Sequence, residues 1–515
     1  MVDGTGALGR VADVAITGDK IVAVGELSSW NALKVIDASG LVVSPGFIDM
    51  HTHSDLSILQ NPDQVSMLFQ GVTSQVVSNC GMAMGQIINS PKFEFEQKWL
   101  LPFGVQVNWS SAEEHLRLIE EQGTGTNYVP LAGHGTIRKR VLGFEPRPPD
   151  QNELEQMKAL VEEAFDAGVW GLSTGLEYPP ASFARTDEII ELAKVAGRRG
   201  GFYTTHLRSE GDKLIESVQE ALVIAKEGNM PLQLSHHKAD GKRNWGKINT
   251  TLGIVDKERA KGMDILLDAY PYLAYQTSLA VAFLPDWVKT TDPKDYATRL
   301  TDPDYRPRIL NDMKAENTDW SRVVIGNAQH HRYLQGHMIF AAAGMMEQEP
   351  EEFVLDLLAD EHGFVSAGHF SLSEEDVQTV LKYPHTMIGS DAIGTLPDGP
   401  MSAERPHPRS YGTFPRIFAN YVKETPLLTL EDAVRKMTSL PAQRLGWTDR
   451  GILKPDAYAD LVIFNFETFR DISTFEDPHR LSEGVQYLFV NGGLTISEGQ
   501  MTGERSGRVL RKTHS

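Results

Sequence analysis

Between residues 46 and 391 the chain alternates short apolar runs with longer segments, such as 152–167, 188–199 and 213–227, whose apolar positions recur every three or four residues. This rhythm predicts βα units around a parallel sheet. The apolar runs are GFIDMHTH (46–53), TSQVVSNC (73–80), NYVPLAGH (127–134), GVWGLSTG (168–175), GGFYTTHL (200–207), MPLQLSHH (230–237), MDILLDAY (263–270) and TMIGSD (386–391). There are eight, the number that closes a (β/α)8 TIM barrel, and most end on His, Cys or Asp, where such barrels carry their chemistry. More than a hundred residues separate the seventh run from the eighth, far beyond an ordinary loop. Its Pro- and Asp-rich part, about 283–345, predicts a lid or small subdomain.

The flanks have a different texture. VADVAI, KIVAVG and LVVSPG near the start, and ADLVIFN, EGVQYLFVNG and LTISEG near the end, are β-rich runs broken by Gly and polar pairs. They predict that residues 1–45 and 445–515 pair into one small β domain, with the barrel, 46–444, as a continuous insertion.

Composition narrows the partners. With 515 residues, 41% of them apolar, the chain can bury a large core, and a small stapled scaffold is excluded. A formal charge of −20 repels nucleic acid and anionic lipid, so neither is an expected partner. The single cysteine, Cys80, rules out an internal disulfide and suits a reducing compartment. The start MVDGTGALGR does not read as a signal peptide and no apolar stretch is long enough to span a bilayer, so the expectation is a soluble cytoplasmic protein.

Candidate chemistry gathers at the run ends. In His51-Thr52-His53 the i,i+2 spacing aims both imidazoles at one face of a strand, the barrel interior. His206 and His236 close two further runs, so four imidazoles would share one mouth and resemble a metal site. His237 should point the other way, into the helix layer. Cys80 at the end of the second run is a metal ligand or a packed thiol, and sulfur with imidazoles favours zinc over magnesium or calcium. Asp391 at the end of the eighth run is placed to accept a proton from metal-activated water. His134 is a substrate donor or structural. Two motifs are set aside. Gly4-Thr5-Gly6-Ala7-Leu8-Gly9 matches a dinucleotide fingerprint but has no strand before it. Gly171-Leu172-Ser173-Thr174-Gly175 matches a nucleophile elbow, but Pro179 and Pro180 follow where a helix should open.

Read together, PGFIDMHTHSD, SNCG, GHGTIR, GLSTGLEYPP, THLRSEGD, SHHKADGKRNWGK, DAYPY and MIGSD resemble the N-acyl-D-amino-acid deacylases, or D-aminoacylases, of the amidohydrolase superfamily. The likeness runs from about residue 3 to 510 and includes GILKPDAYADLVIF and TFEDPHR. It implies a β-sandwich built from both chain ends beside a metal-bearing (β/α)8 barrel. It further implies a tight zinc site at Cys80, His206 and His236, a weaker one at His51 and His53, and Asp391 as general base. The substrate α-carboxylate would meet Lys238, Tyr270 or Tyr272, and Arg409.

Relatives with two metals often bridge them through a carboxylated lysine on the fourth strand; here Glu177 follows that run, and the cysteine replaces the lysine. Two departures stand out: relatives usually carry one more N-terminal strand, and Ala392 stands where glycine is more usual. The resemblance implies hydrolysis of N-acyl-D-amino acids to a carboxylic acid and a free D-amino acid. The alternatives are a hydantoinase-like cyclic-amide hydrolase or deaminase on the same barrel, and an inactive metal-binding relative. Acidic substrate side chains would require extra Arg or Lys in the pocket.

Overall fold

The computed structural model describes residues 1–101, 104–290 and 295–513. Its centre is a ring of parallel strands: Phe47–Asp49, Val72–Val77, Asn127–Pro130 continued by Ala132–Gly133, Gly171–Gly175, Phe202–His206, Leu232–Leu234, Ile265–Ala269 and Thr386–Ile388. Each coincides with one of the eight apolar runs. The third strand is broken at Leu131, its first half pairing with the second strand and its last two residues with the fourth. The ring closes just beyond the strands proper, where Thr52 bridges Ala392 in parallel, the Asp391 N–H donates to the His51 carbonyl (2.7 Å) and the His53 N–H to that of Ala392 (2.7 Å). The expected (β/α)8 barrel is therefore present.

Helices form the outer layer because their apolar positions line one face. In Gln151–Asp166 the buried residues Met157, Val161, Ala164 and Phe165 fall on a single stripe. Its start is fixed by a reciprocal capping box: Asp150 Oδ1 accepts from the Glu153 N–H and Glu153 Oε2 from the Asp150 N–H, both at 2.8 Å.

The chain ends meet as anticipated. Val42–Pro45 lies antiparallel to Leu461–Phe464, and Val485–Val490, Gly493–Ser497 and Gln500–Met501 complete a five-stranded sheet. The hairpin Asp13–Thr17/Lys20–Gly25 packs Ile21 against Leu453, Ala457 and Leu461. The last segment runs under the N-terminal ends of the barrel strands: the Tyr128 N–H donates to the Arg508 carbonyl (2.9 Å) and the Lys512 N–H to Gly168 (2.8 Å).

Between the seventh and eighth barrel strands, Tyr275–Ser278, Ser366–His369 and Val323–Ile325 form a three-stranded antiparallel sheet with Ser366–His369 in the middle. With helices including Arg306–Ala315 and Pro350–Asp360 it encloses its own apolar core, built on Leu279, Val288, Ile309, Trp320, Phe353 and Leu358. This core is separate from that of the barrel. No helix among the described residues is long and apolar enough to cross a membrane.

Candidate metal centre

The strands deliver their last residues to the C-terminal mouth of the barrel, and there the backbone leaves extended geometry. Ser78, Cys80, His236 and Asp391 have φ of 64°, 52°, 32° and 52°, the left-handed region that L-residues seldom occupy. Each such residue costs about 1–3 kcal/mol, sustained by the surrounding fold. The turn at Cys80 also depends on Gly175, where a Cβ would stand 2.1 Å from the Cys80 carbonyl oxygen.

These turns bring four side chains to one point. Cys80 Sγ lies 3.3 Å from His51 Nε2, 3.6 Å from His236 Nε2 and 4.0 Å from His206 Nδ1, while His206 Nδ1 and His236 Nε2 are 3.0 Å apart. Tetrahedral zinc, with Zn–S of about 2.3 Å and Zn–N of about 2.0–2.1 Å, requires donor separations of about 3.3–3.6 Å. The outer nitrogen of each of these rings faces a carboxylate: His51 Nδ1 to Asp268 (3.2 Å), His206 Nε2 to Glu177 (2.7 Å) and His236 Nδ1 to Glu210 (2.9 Å), the last with the Lys238 ammonium also 2.7 Å from the ring nitrogen. An imidazole donating its outer N–H presents a bare lone pair inward, the tautomer a metal needs. Asp268 also accepts the backbone N–H of His236 (2.7 Å), so one buried carboxylate sets two of the rings.

The charges agree with this geometry. Without a metal, burial opposes a Cys80 thiolate, but His51 as an imidazolium, with hydrogen bonds from His206 and His236, brings the thiol well below its ordinary pKa, a positive charge that a bound cation would take over. Burial likewise opposes charge on Glu210, but Lys238 (2.7 Å), His236 and His206 hold it below the usual carboxylate range. Three imidazoles and a thiolate in this arrangement fit a soft divalent cation.

Asp391 stands beside this cluster. Its Oδ1 lies 3.2 Å from His53 Nε2 and 3.4 Å from His51 Nε2, and its Oδ2 lies 2.8 Å from Arg409 Nη1. Burial would raise its carboxyl, but Arg409 and His236 hold it well below the ordinary value, so it is ionised. Arg409 and Lys238 both face the Tyr270 ring, at 4.9 and 5.6 Å from its centroid. Burial pushes the Tyr270 phenol up to about 12, which keeps it a donor. A cavity of about 820 Å³ opens above the cluster, lined on the barrel side by Glu177, His206, Glu210, His236, Lys238 and Asp391.

Other candidates lie elsewhere. Tyr272 packs under Arg416 at 4.8 Å and against His407, outside the cavity lining, and the same is true of His134, whose Nε2 meets Glu188 at 3.0 Å beside Arg138. Of the two readings open for His134, the structural one matches its position. His237 turns outward and bonds Thr251 Oγ1 at 2.8 Å, as its place in the strand predicts. Ser173 donates to the Ser78 carbonyl (2.5 Å) and accepts from the Gly81 N–H (3.2 Å), so it pins the cysteine turn.

Sequence reasoning missed the three carboxylates behind the rings. Glu210 follows His206 by four residues in THLRSEGD, Asp268 is the polar break in MDILLDAY, and Glu177 directly follows the fourth run; only their positions beside the run ends signalled them.

A (β/α)8 barrel with this mouth defines the class, and comparison with known proteins agrees: the model of the amidohydrolase family matches residues 34–496. The chain is 34% identical to a D-aminoacylase of Alcaligenes xylosoxydans xylosoxydans, over 100% of this chain and 96% of the relative. It is 35% identical to an N-acyl-D-aspartate deacylase of the same organism, over 99% and 93%. Among solved structures, the N-acyl-D-glutamate deacylase of Bordetella bronchiseptica, complexed with zinc and a phosphonate mimic of the tetrahedral intermediate, superposes with a TM-score of 0.82 at 31% identity, covering 99% of this chain and 97% of that one. The chain belongs to the amidohydrolase family, in its D-aminoacylase branch.

Proposed function

We propose that the protein hydrolyses N-acyl-D-amino acids to a carboxylic acid and the free D-amino acid. In this reading Cys80, His206 and His236 would hold a zinc ion, and His51 and His53 a second, weaker one. When bound, zinc supplies Lewis acidity to an amide carbonyl and lowers the pKa of water towards about 7.

The chain's own groups supply the rest. Asp391 Oδ1 takes the proton of the attacking water and returns it to the departing amine nitrogen. Arg409, on the opposite oxygen, keeps the carboxylate ionised and oriented between turnovers. Lys238, Tyr270 and Arg409 receive the substrate α-carboxylate, the guanidinium fork and phenol O–H fixing its plane. Holding carboxylate, amide and side chain at three points misplaces the scissile bond of an L-enantiomer. Tyr272, packed against Arg416 and His407, and His134, bonded to Glu188, are given no role in this scheme.

The observation that carries the proposal is the ring of inward-facing nitrogens around Cys80, each backed by its own carboxylate, with an ionised aspartate alongside. The test is metal analysis joined to a chiral assay on N-acetyl D- and L-amino acids. Retained zinc with release of amino acid from the D-series alone is expected. Ring opening of a hydantoin in place of that release, or zinc-loaded protein inert to the whole D-series, would overturn the reading.

A further inference from the structure

Relatives of nearly equal identity carry the names D-aminoacylase, N-acyl-D-aspartate deacylase and N-acyl-D-glutamate deacylase, so overall similarity does not choose a side-chain class. The walls of the cavity do. We propose that this site accepts N-acyl-D-amino acids whose side chain carries no negative charge, and rejects the aspartate and glutamate derivatives; this rests on the deacylase reading above.

An acidic side chain needs a cation with donors to spare, because an unpaired carboxylate in a half-enclosed site forfeits its hydration. Most of the cations around the cavity already face a carboxylate of the same wall. Arg208 uses four of its five N–H groups: Nε and Nη2 go to Glu220, both at 2.9 Å, Nη2 also reaches the Ala184 carbonyl at 3.0 Å, and Nη1 reaches that of Ser182 at 3.1 Å. Lys289 is held by Asp286 (2.9 Å) and the Val281 carbonyl (2.9 Å). Arg243 is held by Asp212 through Nε (2.7 Å) and is largely exposed, while Lys238, held by Glu210 (2.7 Å), is the group assigned above to the α-carboxylate. The remaining one, Lys213, stands exposed at the outer rim between Asp212 and Glu216.

The lining carries eight carboxylates against these five cations, so the protein's own side chains leave the wall negative. Between the charges the surface is aromatic: Tyr178 and Phe183 from the loop after the fourth strand, Tyr275 and Trp287 from the insertion. These faces offer apolar contact to an aliphatic or aromatic side chain, and a cation–π face to a basic one.

The test is kcat/KM for N-acetyl derivatives of D-leucine, D-phenylalanine, D-arginine, D-aspartate and D-glutamate, on zinc-loaded enzyme and on an Asp286→Asn variant. Asp286 is fully exposed, so the substitution leaves the fold in place while stripping Lys289 of its carboxylate. The acidic pair is expected about 100-fold below the best neutral substrate. The acidic-to-neutral ratio should rise about tenfold in the variant, with most of the gain lost at high salt. Acidic substrates that equal or exceed the neutral ones, or a ratio that Asp286→Asn leaves unmoved, would overturn the proposal while the deacylase reading stands. Failure to hydrolyse any of the five removes both.

Discussion

The two sides of the cavity are built on different terms. On the barrel side, the groups of the metal cluster extend from closing strands, with strained backbone at Cys80, His236 and Asp391 and a carboxylate behind each of His51, His206 and His236. On the opposite side, Tyr275, Trp287 and Lys289 belong to an insertion with an apolar core of its own. The first arrangement tolerates almost no displacement, since its distances must match a coordination sphere. The second can change residue by residue without disturbing the first. Chemistry is thereby separated from recognition.

Substitutions on the two sides should break that separation to different depths. The deepest is Asp391→Asn, expected to lower kcat by about 10²–10⁴-fold while zinc content, read by elemental analysis, stays near that of the parent; activity within tenfold of the parent would remove Asp391 from its proposed role. Next come the carboxylates behind the rings. Glu210→Gln or Asp268→Asn should weaken zinc binding about 10–100-fold, measured by competition with a chromophoric chelator, and the loss of turnover should be restored by excess metal. On the recognition side, Trp287→Ala should reduce kcat/KM for apolar substrates about tenfold through KM, with zinc affinity unmoved. If zinc affinity falls there too, the two sides are not independent. The smallest effect belongs to the outer layer: Asp150→Ala removes the capping box and should cost about 1 kcal/mol in chemical denaturation, leaving kcat and KM as they were.

The eight strands were legible because a parallel sheet covered on both faces writes itself as short apolar runs, and because barrel chemistry sits at strand ends, where His, Cys and Asp interrupt those runs. The alternation rule separated His236 from His237 correctly. It cannot choose between Tyr270 and Tyr272, which share a parity and lie beyond the end of the strand at Ala269, where Pro271 has already turned the chain. The ring-backing carboxylates were invisible for another reason. A buried Asp or Glu looks like any surface one until its partner is known, and Glu177, Glu210 and Asp268 meet rings on other strands. The insertion was legible as an excess of length, but the pairing of Tyr275–Ser278 with Ser366–His369 joins segments about ninety residues apart and left no local mark.

The seam of the barrel has a consequence for biogenesis. Residues 51 and 391 are joined by backbone hydrogen bonds, and the same few residues supply His51, His53 and Asp391. A ribosome-bound chain must therefore synthesise some three hundred and forty residues past its first imidazole before that contact can form, and pairing so distant in sequence is slow to find. Under the proposed ligand assignment, the donors would come together only when the cylinder shuts, and ion capture would follow that closure.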